Sequence, residues 1–187
     1  MMVDAVAKPP RQPGALKRFI ERYPFVPALV IMLVLLVLNG IWQPRSVSLV
    51  GITGLIKTYM ALMLLAVAQT YVVYAGDIDL SAGAIVSLVN VVIVAIMAAM
   101  GDSGASVFTA MAAGLAVGLA CGIVNGLVVA AFRLQAIVAT FATSIFFTGL
   151  ALWVMPVAGT PAPATFWRTY GGRILEIPFV FWAAIVL

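Results

Sequence analysis

The chain has 187 residues, of which 65% are hydrophobic and 9% charged, with a formal net charge of +4 and no histidine. A soluble core cannot absorb that much apolar surface, so the composition excludes an ordinary soluble domain and points to an integral membrane protein. The missing histidine excludes His-based proton relays, His metal sites and Ser-His catalysis, and the lone Cys121 excludes a disulfide framework.

Residues 1–23 form a polar lead with Pro9, Pro10 and Pro13, read as a cytoplasmic tail that turns amphipathic over 16–23. Five of the ten basic residues, Lys8, Arg11, Lys17, Arg18 and Arg22, precede the first apolar run. That is the positive-inside pattern and predicts a cytoplasmic N-terminus. The later basic residues do not reinforce it: Arg133 then falls inside, but Arg45, Lys57, Arg168 and Arg173 fall outside. Asn39-Gly40-Ile41-Trp42-Gln43 is no small-residue cleavage site, which argues against a removed signal peptide.

From residue 24 to 187 the chain reads as one transmembrane domain. Five uncharged apolar runs reach the length of about 18 that a spanning helix needs: roughly 25–42, 58–75, 80–100, 105–132 and 134–155. A sixth starts at Phe179 and continues to Leu187. Those residues rise about 13.5 Å as a helix, under half of a roughly 30 Å hydrocarbon core. The expectation is an all-α polytopic membrane protein with five full spans and a truncated sixth, the N-terminal piece of a longer design. The alternative is a last segment resting against other helices. The first connection is taken as 43–57, with Gly51 and Gly54 making it turn-like. The longest is 156–178, whose four prolines and aromatic Trp167 and Tyr170 suggest an interfacial segment.

Polar groups inside these runs are the candidates for function. Asp77, Asp79 and Ser81 lie where the second run gives way to the third. A carboxylate in hydrocarbon costs about 2.5–3.5 kcal/mol on insertion scales, so such groups cap a helix, line a polar path or sit at the membrane surface. Capping would have Asp79 or Ser81 accept from free N–H groups at the helix start. The other reading is a broken helix at 76–83 whose terminus lines a translocation path. Gln69, Asn90 and Asn125 are either interhelical hydrogen-bond partners or solute contacts. Gly114, Gly118, Gly122 and Gly126 recur every four residues, a stripe that lets a neighbouring helix approach closely. Two look-alikes fail on chemistry. Gly101-Asp102-Ser103-Gly104 has the form of a serine-protease nucleophile segment but no histidine base. The stretch from Gly51 to Thr58 lacks the glycine before Lys57 that a phosphate loop requires.

The segment Gly76-Asp77-Ile78-Asp79-Leu80-Ser81-Ala82-Gly83 resembles the Gly-Gly-Ile-Asp-Leu-Ser-Val-Gly signature of the sugar-type permeases of bacterial ATP-binding-cassette importers, the ribose/xylose/galactose group. Asp77 replaces the second glycine and Ala82 the valine. A second stretch resembles the family's Asn-Gly…Arg-Leu…Phe-Ile-x-Thr-Leu…Arg-Gly-Leu pattern. It runs through Gly122, Asn125-Gly126, Arg133-Leu134, Ile137-Val138-Ala139-Thr140 and Gly149-Leu150-Ala151, with Ile137, Phe141 and Thr148 as the departures. The resemblance covers about residues 20–187. It implies a permease subunit of the bacterial inner membrane, with Thr140 joining the path residues and no chemistry done on the solute. It implies no cofactor of its own, because ATP is bound by a separate cytoplasmic ATP-binding subunit. It also implies a periplasmic solute-binding protein and a second permease subunit, the same or related. Nothing in the sequence points to nucleic acid. Two other classes stay open: an ion-coupled secondary transporter or channel using Asp77 and Asp79, and a non-transporting scaffold subunit.

Overall fold

A computed structural model describes residues 14–157, 159–174 and 177–178. The chain forms two units, one up to Leu55 and one from Ile56 onward. The expected tail residues 1–13 and the expected sixth run from Phe179 lie outside the described residues.

The first unit holds α1 (Ala15–Arg22) and α2 (Val26–Trp42). Pro27 sits in the first turn of α2, where its missing N–H removes no helical bond. No residue of α2 is buried within the described residues. A short 3₁₀ turn (Pro44–Val47) follows and is tied back by the Ser46 hydroxyl, which donates to Asn39 Oδ1 at 2.6 Å.

The connection expected over 43–57 is much shorter, because α3 (Leu49–Tyr74) starts nine residues before the predicted run at Thr58. The reason is local. Ser48 Oγ accepts from the Gly51 N–H at 3.1 Å, which is an N-cap. Gly51 makes the tight start feasible, since a Cβ there would overlap the carbonyl oxygens of Arg45 and Ser46. Lys57 therefore lies within the helix and does not bound it.

The second unit contains α4 (Ala82–Met100), α5 (Gly104–Phe132) and α6 (Ala136–Val154). Ser103 caps α5, accepting from Ser106 N–H at 3.1 Å, and Arg133 ends it with a positive φ of 51°. α4 packs on both α5 and α6. The core is Leu88, Cys121, Phe147 and Ala151, with Ala84, Ile85, Val117 and Leu150 around it. The glycine stripe serves this contact in part. A Cβ on Gly114 would lie 2.6 Å from Ile93 Cδ1, and one on Gly118 would lie 3.6 Å from Val89 Cγ2. Gly122 and Gly126 have open space at that position, so the stripe runs past the end of the α4 contact.

Among the described residues four helices are long and apolar enough to cross a membrane, and α2 is a shorter apolar helix of 17 residues. In no candidate span is more than 28% of the most apolar stretch buried. Most of the apolar surface thus faces outward, the inverse of a soluble fold.

The long connection after α6 carries α7 (Ala164–Gly171) and a two-residue antiparallel pair, Arg173–Ile174 with Ile177–Pro178. Asp102, in the α4–α5 turn, accepts from Thr165 N–H at 2.9 Å, in the first turn of α7. The Tyr170 hydroxyl donates to the Lys57 carbonyl at 2.5 Å. Hydrogen bonding from Thr165, with the Arg168 charge adding a smaller share, holds the Asp102 carboxyl below its ordinary range.

Candidate functional site: the break between two spans

α3 ends at Tyr74 and α4 begins at Ala82, and the residues between them are non-helical. Gly76 makes the turn with φ +87°, a conformation that costs an L side chain about 1–2 kcal/mol. The chain then runs through Asp77, Ile78, Asp79 and Leu80 to Ser81, against α5 and α6.

Asp79 governs the local geometry. Its Oδ1 accepts from the Ser81 backbone N–H at 2.7 Å and from the Ser81 hydroxyl at 2.6 Å. The first bond is an Asx turn. The capping expectation therefore needs correction. Neither side chain accepts from an N–H inside α4, whose start carries no side-chain cap, and only the Ser81 carbonyl takes the Ile85 N–H, at 2.9 Å. The carboxylate satisfies the residue just before the helix.

Two further helices fix the segment. Asn125 on α5 donates its side-chain N–H to Ser81 Oγ at 2.6 Å. Thr140 on α6 accepts from the Leu80 N–H at 2.9 Å and donates to the Ala136 carbonyl at 2.8 Å. From α3, Gln69 Nε2 donates to the Asp79 carbonyl at 3.3 Å. Ser81 is 0% exposed, Thr140 4% and Asn125 9%. The bonds run in one sense, Asn125 to Ser81 to Asp79, so each donor points toward the carboxylate. Asn125 lies seven residues before the end of α5, about 10 Å by helix rise. Thr140 lies four residues into α6, about 6 Å. The segment is therefore held inside the helix ends.

Of the seven predicted path residues, five meet here: Gln69, Asp79, Ser81, Asn125 and Thr140. Asp77 is exposed, with its backbone N–H on the Val72 carbonyl at 3.2 Å. It lines an open cleft of about 380 Å³ together with Tyr71, Val72, Asp79, Asn125, Gly126 and Thr140. Asn90 stands apart, exposed on α4 in a second groove with Ser87, Thr148 and Thr160. The sequence reading missed Tyr71, a residue 74% exposed that lines the cleft. A tyrosine in an apolar run carries no signal of its own. The Asn125 side-chain oxygen is buried with no hydrogen-bond partner in the structure. Such a group costs about 1–3 kcal/mol.

Comparison with curated proteins finds import permeases. The chain is 30% identical over 171 residues to the autoinducer 2 import system permease protein LsrC of Escherichia coli O157:H7, covering 91% of this chain and 49% of that protein. It is 34% identical over 158 residues to the ribose import permease protein RbsC of Bacillus subtilis, 83% of this chain and 47% of that one. The homologues of this chain are permeases of sugar ABC importers. Another, the L-arabinose ABC transporter permease protein AraH of Azospirillum brasilense, is 29% identical over 184 residues, 98% of this chain and 52% of that protein. The chain thus spans about half the length of the permeases it matches. No family model and no solved structure matches. The break at 77–81 combines carboxylates, an amide and hydroxyls where neighbouring segments offer hydrocarbon.

Proposed function

We propose that this chain is the membrane permease part of an ATP-binding-cassette importer and forms part of the route for a monosaccharide. In this reading a periplasmic binding protein delivers the sugar, a second permease subunit closes the route, and a separate cytoplasmic subunit binds and hydrolyses ATP. The chain itself needs no cofactor. It sits in the inner membrane with its N-terminus in the cytoplasm, following the five basic residues ahead of α2.

One observation carries the reading. A non-helical segment with two carboxylates is braced by polar groups of α3, α5 and α6 inside a body of otherwise apolar helices. Non-helical backbone at that depth persists where protein or a water-filled route satisfies it. Gln69, Ser81 and Thr140 position the segment, and Asp77, Asp79 and Asn125 line the cleft beside it.

The test is uptake of labelled D-ribose and L-arabinose by cells carrying the intact transporter locus. Uptake is expected to stop when ATP is depleted and to persist when ion gradients are collapsed with ATP kept high. Uptake that follows the gradient and ignores ATP would replace this reading with an ion-coupled carrier.

A further inference from the structure

The helix ahead of α2 has two unlike faces. The spacing of α1 puts Phe19 and Ile20 on one face, continued by Tyr23, and Arg18, Glu21 and Arg22 on the other. A helix of eight residues is marginal in water on propensity alone, so its stability depends on what its apolar face lies against. Phe19, Ile20 and Tyr23 are all exposed among the described residues. Three residues, Tyr23 to Phe25, join α1 to the apolar α2, and the Tyr23 carbonyl accepts from the Val26 N–H at 3.1 Å. An aromatic cluster marks this joint. The Tyr23 ring centroid lies 5.2 Å from that of Phe19 and 6.2 Å from that of Phe25, and the Arg22 guanidinium stands 5.8 Å from the Tyr23 ring. Tyrosine collects at the level of lipid head groups. Charge completes the pattern. In the first 23 residues five basic side chains, Lys8, Arg11, Lys17, Arg18 and Arg22, stand against Asp4 and Glu21, a net charge of +3.

We propose that α1 is an interfacial helix that lies on an anionic lipid surface, with its apolar face at the acyl boundary and Arg18 and Arg22 on the phosphodiester head groups. A helix with aromatic and aliphatic residues on one face and basic residues on the other lies in the plane of the interface. Arg22 borders the apolar face, so its stem can stay with the rings while its guanidinium reaches outward. A guanidinium pairs with two phosphate oxygens at once. The helix is about 12 Å long, small for a protein partner, which covers about 800 Å² a side. Beyond orienting the chain, the basic excess thus gives the folded protein a lipid partner. The inference concerns the first unit alone and does not depend on the transport reading.

The test places a dye on the apolar face. Ile20→Cys, in a chain whose only other thiol is removed by Cys121→Ala, is labelled with an NBD dye. The full chain is then reconstituted in mixed phosphatidylcholine and phosphatidylglycerol vesicles. Quenching is compared between phosphatidylglycerol and phosphatidylcholine that carry a nitroxide on the acyl chain. At about 0.1 M salt the anionic lipid is expected to quench more at equal content. The difference is expected to vanish at about 1 M, where the screening length falls from about 10 to about 3 Å. Arg22→Gln is expected to lower the preference for the anionic lipid about fivefold, the contribution of one basic residue near an anionic surface. Arg22→Lys is expected to keep most of it. Arg18→Gln, one turn earlier, is expected to act like Arg22→Gln, so the result does not rest on the folding of one variant. Equal quenching by the two lipids, no quenching by either, or a preference that survives high salt or both glutamine substitutions would each overturn the proposal. Loss of quenching on adding the cytoplasmic ATP-binding subunit would overturn it too, because a protein would then cover this face.

Discussion

At the scale of single residues, Asp79 acts through one oxygen. Oδ1 takes two hydrogen bonds from Ser81, and Ser81 in turn takes one from Asn125. An amide oxygen can accept the same two bonds, so Asp79→Asn is expected to keep the protein at near-normal levels in the membrane and to retain most uptake. Asp79→Ala removes the acceptor and leaves the Ser81 N–H unsatisfied, a loss of about 1–3 kcal/mol. Thermal denaturation in detergent checks the pair, and equal melting of the two variants would show that the Asx turn contributes nothing. A stable Asp79→Asn protein with no uptake would instead give the charge itself a role. Much of this cluster was legible beforehand, since charged and amide residues inside apolar runs announce themselves. What they bond to was not. Thr140 meets Leu80 across sixty positions of sequence, and Asn125 meets Ser81 across forty-four. Asn90 looked equivalent to Asn125 by type and by setting, yet it faces the other groove.

Among the elements, helix starts were the least legible and their causes are small. Ser48 caps α3 and Lys57 stays inside it, whereas the sequence reading let the single charge mark the boundary. A lysine near a helix end can keep its ammonium in the polar zone while its stem stays in the apolar one. The spacing of the glycine stripe follows from the sequence, but only the partner helix decides how far contact extends. Ile93 and Val89 reach Gly114 and Gly118 and no further. Asp102 gives the element scale its own test. Its carboxylate holds the first turn of α7 from the α4–α5 turn, and Thr165 keeps its pKa low. A carboxyl lowered in the folded state contributes stability that is present above the unfolded value and lost as the pH falls through the folded one. Docking of α7 is therefore expected to be unchanged from neutral pH down to the ordinary carboxylate range and to loosen below it. Trp167 reports on α7 if Trp42, Trp153 and Trp182 are replaced by phenylalanine. Its fluorescence should move at acid pH in the parent. In Asp102→Ala the loosened signal should appear at every pH. A parent signal flat through acid would show that Asp102 does not hold the helix.

Across the whole molecule, the question with the largest consequence is whether α2 crosses the membrane. Its 17 residues rise about 25 Å, against a hydrocarbon core of about 30 Å. Apolarity and length alone predicted a span here, and the observed helix falls at the bottom of the usual range of about 17–25 residues. Three features favour crossing. No residue of α2 is buried, its far end carries Trp42, and Arg22 and Arg45 flank it. Local thinning of the bilayer costs only fractions of a kcal/mol per Å of mismatch. Crossing sets the parity of everything downstream. With the N-terminus inside, a spanning α2 places the 77–81 break toward the cytoplasm, the Asp102 turn outside and Arg133 inside. If α2 only lies on the surface, each of these changes side. Alkaline phosphatase, active only outside the inner membrane, reads the parity directly. Fused after Ser103 it should be active, and fused after Leu134 it should be inactive. With the N-terminus inside, which a phosphatase fusion ahead of α2 checks by being inactive, the reverse pattern would mean that α2 does not span. It would also put Arg133 outside and turn the candidate cleft toward the periplasm, where a delivered solute would meet it first.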